Sequence, residues 1–153
     1  MHSRSPRFVR WLVIVMMSAG CFTGCGGTVF SYKGGKITQD ALMIRLQDGD
    51  QQGVWRKNEM EIVYRYHNES QSLKLSGMPA LITGNRYFNH LAIYLLFLDE
   101  HGTVMEDVLM YTGENARRIV PPPMDFDKTL PIPQGALAIS FAFDLTPVLS
   151  NGR

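Results

Sequence analysis

Polar and apolar residues alternate along 59–66 (EMEIVYRY), setting Met60, Ile62, Tyr64 and Tyr66 on one side and Glu59, Glu61 and Arg65 on the other. A two-residue period marks a strand with one buried face. Before it, residues 41–46 (ALMIRL) form a short apolar run closed by the turn-forming Asp48-Gly49-Asp50. After it, His67-Asn68-Glu69-Ser70 carries turn chemistry. Alternation resumes at Leu73 and Leu75. Gly77 and Pro79 then predict an edge or bulge before residues 80–83.

Residues 90–98 (HLAIYLLFL) are apolar on both faces, as in a central strand covered on both sides, although a buried helical segment carries the same pattern. The following Asp99-Glu100-His101-Gly102 reads as a hairpin loop with Gly102 left-handed, leading into a strand over 104–111. A short strand over 127–130 is separated by Pro131, Pro133 and Gly135 from a last strand over 136–143. There Leu137, Ile139, Phe141 and Phe143 face inward, and Ala136, Ala138, Ser140 and Ala142 outward. One helical turn fits residues 113–118. About seven short strands with turns near every tenth residue predict an all-β antiparallel sandwich over residues 41–149, with residues 150–153 as a tail. Its core is expected from Trp55, Met60, Ile62, Tyr64, Leu73, Leu75, Leu81, Ile93, Leu95, Phe97, Val108, Leu137, Ile139 and Phe141.

The start of the chain has a different pattern. Arg4, Arg7 and Arg10 precede the unbroken apolar run Trp11–Met17 and the small residues Ser18, Ala19 and Gly20. A basic head, a short apolar core and a small-residue end predict a cleavable secretory leader. A transmembrane helix wants about 20 apolar residues, more than this run supplies. Phe22-Thr23-Gly24-Cys25 resembles the lipobox of bacterial lipoproteins, and Ser18-Ala19-Gly20-Cys21 is an alternative with serine at the apolar position. Fourteen residues separate Arg10 from Cys25 and ten separate it from Cys21, so Cys25 leaves the roomier apolar region. The resemblance implies that residues 1–24 are removed and that Cys25 carries diacylglycerol. It also implies that Gly26, standing where a retention aspartate would be, directs the protein to the periplasmic side of the outer membrane rather than the inner membrane. The competing readings are a secreted protein cut near residues 19–21 and an uncleaved signal anchor. Residues 25–40 then read as the lipidated cysteine and a Gly-rich tether, with a short strand over 29–32.

Charge narrows the function. The chain carries 15 Lys+Arg and 14 Asp+Glu; without the three leader arginines, 12 basic residues face 14 acidic ones, about −2. A faintly acidic domain without a basic stripe excludes nucleic acid as the expected partner. Both cysteines lie in the leader, so the domain has no disulfide, thiol nucleophile or Cys-based metal site. His67, His90 and His101 have no metal-binding spacing. The serines lie in neither G-x-S-x-G nor S-x-x-K. Asp48/Asp50 and Asp125/Asp127 lack the remaining ligands of a calcium loop and read as turn formers. Pro121-Pro122-Pro123 reads as a rigid crossover between sheets, or alternatively as a polyproline segment docking on a partner.

Tyr64-Arg65-Tyr66-His67-Asn68, taken with Phe97-Leu98-Asp99-Glu100-His101-Gly102-Thr103-Val104, resembles the small immunoglobulin-like domains of secreted bacterial proteins, including the FxLYD type. The shared features are an Asn after an early strand and a hairpin with Asp and Gly at fixed positions. The resemblance covers about half the domain. It implies an immunoglobulin-like sandwich serving as a binding or spacer module with no catalytic residue; the residues themselves give no expectation of a cofactor or metal. The expected function is a non-enzymatic interaction or structural module, held to the membrane by its lipid and meeting an envelope protein by strand addition at an exposed edge. Two alternatives stand beside it: capture of a small molecule, glycan or peptide by Tyr87, Phe88, Tyr94 and Tyr111, and an envelope hydrolase built on His67 or His101.

Overall fold

A computed structural model describes residues 31–82, 88–114 and 123–148. Cys21, Cys25 and Tyr87 lie outside these residues, as do most of the helical turn expected over 113–118 and the first two prolines of 121–123. The described chain is an all-β antiparallel sandwich of two four-stranded sheets, with eight strands where about seven were expected. One sheet has the order β1 (Ile44–Arg45), β8 (Ala138–Pro147), β5 (Phe88–Leu98), β6 (Val104–Gly113). The other has the order β2 (Gly49–Lys57), β3 (Met60–Glu69), β4 (Ser72–Leu81), β7 (Phe126–Pro131). β4 pairs with β7 in one sheet while β5 pairs with β8 in the other, so consecutive stretches of the chain cross between the sheets.

The alternation at 60–66 acts as expected. Met60, Ile62, Tyr64 and Tyr66 are buried; with Leu73 and Leu75 of the same sheet they meet Leu91, Ile93, Leu95 and Phe97 of β5 across the sandwich. Phe141 of β8 sits at the centre. Its ring lies 5.7 Å from Trp55 of β2, and 6.1 Å from both Tyr64 of β3 and Phe126 of β7. Such aromatic pairs contribute about 0.5–1.5 kcal/mol beyond their area burial, so Phe141 is a main tie between the sheets. β5 is buried on both faces, as its continuous apolar run requires.

Four local expectations are corrected. The run 41–46 is a 3-10 turn at Asp40–Leu42 followed by only two strand residues, Ile44 and Arg45. His67 lies in β3 rather than in a turn; the reversal comes later, at Ser70 and Gln71, both at positive φ. That is the backbone of a two-residue hairpin turn, made here without the Asn-Gly signal that usually announces it. Leu137 is 54% exposed. It precedes the first residue of β8 and lines a shallow open cavity with Leu46 and Ile132, outside the sandwich interior. Finally, Ala138, Ser140 and Ala142, expected to face solvent, are buried.

The last correction has a single cause. Residues 31–40, expected as tether, lie on the β5–β8 face. Gly34 N–H donates to Val104 O (2.8 Å), Val104 N–H to Gly35 O (2.8 Å), and Ile37 N–H to Gly102 O (2.9 Å). Tyr32, Ile37 and Met43 then cover a second apolar cluster of Leu96, Leu98, Val104, Ala138 and Ala142. Gly102 makes this docking fit. Its φ is +76°, and a Cβ there would stand 2.6 Å from Ile37 O. Below the cover, the Leu42 carbonyl accepts from the Ser140 hydroxyl (2.8 Å) and the Trp55 indole N–H (3.2 Å), satisfying two buried donors at one acceptor.

Candidate functional site

Strand alternation gives the β2–β3–β4–β7 sheet an outer face as well, and no described residue covers most of it. In register across β2, β3 and β4 run three rows: Asp50–His67–Lys74, Gln52–Arg65–Ser76, and Val54–Val63–Met78. The first two rows line a shallow groove of about 520 Å³. A neighbouring groove of about 470 Å³ continues past Val63 and Met78 to Asp125 and Asp127. Arg65 and Ser76 belong to both. Val54 and Met78 are each 57% exposed, so the face pairs a polar groove with an apolar stripe.

His67 is held by carboxylates. Its Nδ1 lies 2.8 Å from Asp50 Oδ1, and its Nε2 lies 3.5 Å from Glu69 Oε2. Hydrogen bonding to Asp50 first, then to Glu69, holds the imidazole pKa above its ordinary 6.5. Next to it, Asn68 Nδ2 donates to Gln47 O (3.3 Å) and Asp48 Oδ1 (3.4 Å). The Tyr66 hydroxyl accepts from Gln47 N–H (3.1 Å) and donates to Arg45 O (3.2 Å). These contacts fix the β1–β2 connection and so aim β2.

The four sheet edges differ. β1 is two residues long. The start of β6 is covered by Gly34 and Gly35, its pairing with β5 shifts register twice, and its Leu109 carbonyl accepts from Lys128 Nζ (2.7 Å). β7 has six residues and ends at Pro131. β2 has nine residues, no proline, and unbroken register with β3. Short strands, bulges, prolines and covering segments are how sheets guard their edges against pairing. Among the described residues, β2 carries none of these four; its guards are only the charged Asp50, Arg56 and Lys57. Gly53 at its middle lies under the Tyr64 ring, whose hydroxyl stands 2.5 Å from where a Cβ would be. β2 was missed in the sequence because Asp-Gln-Gln-Gly interrupts the apolar alternation; the isolated Trp55 was its one signal.

Of the residues proposed for ligand capture, the described Phe88, Tyr94 and Tyr111 are not assembled into one site, and Tyr87 lies outside the described residues. Phe88 is buried in the core between the sheets. Tyr94 packs against the other cluster, with its ring 5.3 Å from Tyr32. Tyr111 is half-buried beside the main core. Phe88 and Tyr94 are six residues apart and would share a face of a regular strand, but the register irregularity between Phe88 and His90 turns Phe88 to the opposite face from Tyr94, and Tyr111 comes from β6. For the hydrolase reading, both ring nitrogens of His67 face carboxylates, while the Ser76 hydroxyl, in the same groove, lies 3.5 Å from the Arg65 carbonyl. His101 is in the β5–β6 hairpin loop, as expected, with Nε2 3.4 Å from Glu100. Among the described residues, no group of three or more His, Cys, Asp or Glu is placed to hold a metal ion. None of their helices is long and apolar enough to cross a membrane. No family, curated protein or solved structure matches the chain.

Proposed function

We propose that this chain is a lipid-anchored docking module of the cell envelope that takes a partner strand along β2. The observation that carries the reading is the nine-residue β2 edge, guarded among the described residues only by charged side chains while β1, β6 and β7 are short, covered or proline-ended. Strand addition draws affinity from backbone hydrogen bonds and specificity from alternate side chains, and the groove beside β2 offers those side chains a polar floor with an apolar margin. Acylation of Cys25, with Cys21 as the alternative, supplies the membrane attachment; two or more acyl chains make that attachment stable. The Gly after Cys25 favours the periplasmic side of the outer membrane by its resemblance to sorting signals. The reading calls for no cofactor and no nucleic acid.

A photo-crosslinking residue at Gln52, in cells, tests the edge, with Leu137 as an exposed control. A protein adduct at 52 and none at 137 is expected; equal adducts, or none at 52, overturn the reading. Labelling with a clickable palmitate tests the anchor. Label should disappear in Cys25→Ala and persist in Cys21→Ala. Persistence in Cys25→Ala with loss in Cys21→Ala moves the anchor, and label in neither parent nor variant removes it.

A further inference from the structure

We infer that the strand received by β2 is β2 of a second copy of this chain, paired antiparallel about a two-fold axis at Gly53. The inference rests on the edge-docking reading and names its occupant. Two independent facts select this pairing. β2 runs Gly49–Lys57, so the one antiparallel register that pairs all nine residues has Gly53 opposite itself. In that same register Asp50 stands opposite Arg56 of the second copy, and by symmetry Arg56 stands opposite its Asp50. Sliding the strands by two positions in one direction sets Asp50 opposite Val54 and Arg56 opposite Asp48, which lies outside β2, and in the other sets Asp50 opposite Asn58 and Arg56 opposite Gln52, so only the full register opposes these unlike charges within the strand itself. Sliding by a single position brings opposite faces together.

The charges continue a pattern already built within each copy. Asp50 is in register with His67 and hydrogen-bonded to its Nδ1, a contact that becomes an ion pair when His67 is protonated. Arg56 is in register with Glu61 and ion-paired to it. Joined at the edge, the row reads His67, Asp50, then Arg56 and Glu61 of the second copy, with Asp50, Arg56 and Glu61 alternating in sign and His67 extending the alternation when protonated, and the two-fold repeats it. The remaining pairs are Gln52 with Val54, Gln51 with Trp55, and Lys57 with Gly49, so no like charges are opposed. Asp50 and Arg56 side chains are 89% and 65% exposed, free to turn toward a neighbour. The product is one eight-stranded sheet in which both β2 edges are paired, the closed end-state for a self-complementary surface.

Charge reversal tests the register in the full-length chain. Two differently tagged forms are co-expressed and isolated through one tag. Wild-type forms should co-isolate. Asp50→Arg in both forms opposes Arg to Arg at two sites, and Arg56→Asp in both opposes Asp to Asp; each should lower co-isolation by about tenfold or more. Asp50→Arg in one form with Arg56→Asp in the other restores both opposite-charge pairs, and co-isolation should return. That return also shows that each variant is folded. Single reversals without effect, or no return on mixing, overturn the inference. A Gln52 photo-adduct to another envelope protein and none to a second copy overturns the self-pairing while leaving edge docking intact; no adduct at all overturns both.

Discussion

The two sheets of this sandwich share strand alternation, yet their outer faces have opposite fates. On the β5–β8 face the outward residues include Leu96, Leu98, Ala138 and Ala142, and residues 31–43 close over them. On the β2–β3–β4 face they are mainly Asp50, Gln52, Arg65, His67, Lys74 and Ser76, beside the narrower exposed stripe of Val54, Val63 and Met78, and the face stays open. An apolar outer face gains by burial and recruits a segment of its own chain; a polar one is already satisfied by water. The strand that borders the open face is also the one whose edge is least guarded. Backbone pairing is therefore offered where side-chain chemistry is exposed.

The comparison can be broken most directly by equal truncations. Leu98→Ala on the covered face should destabilise by about 2–5 kcal/mol, whereas Met78→Ala on the open face should stay within about 0.5 kcal/mol, both read by urea unfolding. Comparable losses would mean that the two faces are not differently covered. Gly102→Ala forces a Cβ into a left-handed position against Ile37 O, at roughly 1–3 kcal/mol. Its signature is local: the Ile37 amide, bonded to Gly102 O, should exchange faster by a larger factor than the Ile62 amide in the other sheet. Uniform acceleration would count against a separately docked cover.

A smaller effect is expected beneath the cover. Ser140→Ala removes one donor to Leu42 O but leaves the Trp55 indole bonded there, so a loss of about 0.5–1.5 kcal/mol is expected in thermal unfolding. A loss near 4 kcal/mol would show that the hydroxyl does more than satisfy itself. The least effect is on the open face. Because the His67 pKa is raised in the folded protein, its stabilising contribution is full below the ordinary 6.5 and fades as pH rises through the folded value. Asp50→Asn should lower the NMR titration midpoint of His67 toward 6.5; an unchanged midpoint would show that Asp50 does not hold the ring.

Much of the fold was legible, and the reason is periodicity. Met60, Ile62, Tyr64, Leu73, Leu75, Ile139 and Phe141 were assigned to the core from alternation alone and are buried. Gly102 was read as left-handed from the hairpin pattern, and its φ agrees. Alternation gives sidedness without saying what lies beyond each face, which is why Ser140 was placed outside and Leu137 inside. The candidate site was less legible. β2 has a polar, Gly-broken sequence that reads as loop, and its strand character comes from pairing with β3. The Tyr87, Phe88, Tyr94 and Tyr111 group was chosen for its chemistry, which carries no information on convergence.

By itself the sequence determined that residues from about 41 onward form β structure, which residues fill the space between two sheets, and that the domain, lacking cysteine, uses no disulfide or thiol chemistry. Those properties follow from local period and composition, which each short segment carries alone. Only the tertiary structure decided that residues 31–40 cover one sheet, that β2 is the least guarded edge, and that Asp50, His67, Arg65 and Lys74 share a face. Edges, covers and shared faces are relations between segments far apart in the chain, and no segment encodes its neighbour across a sheet.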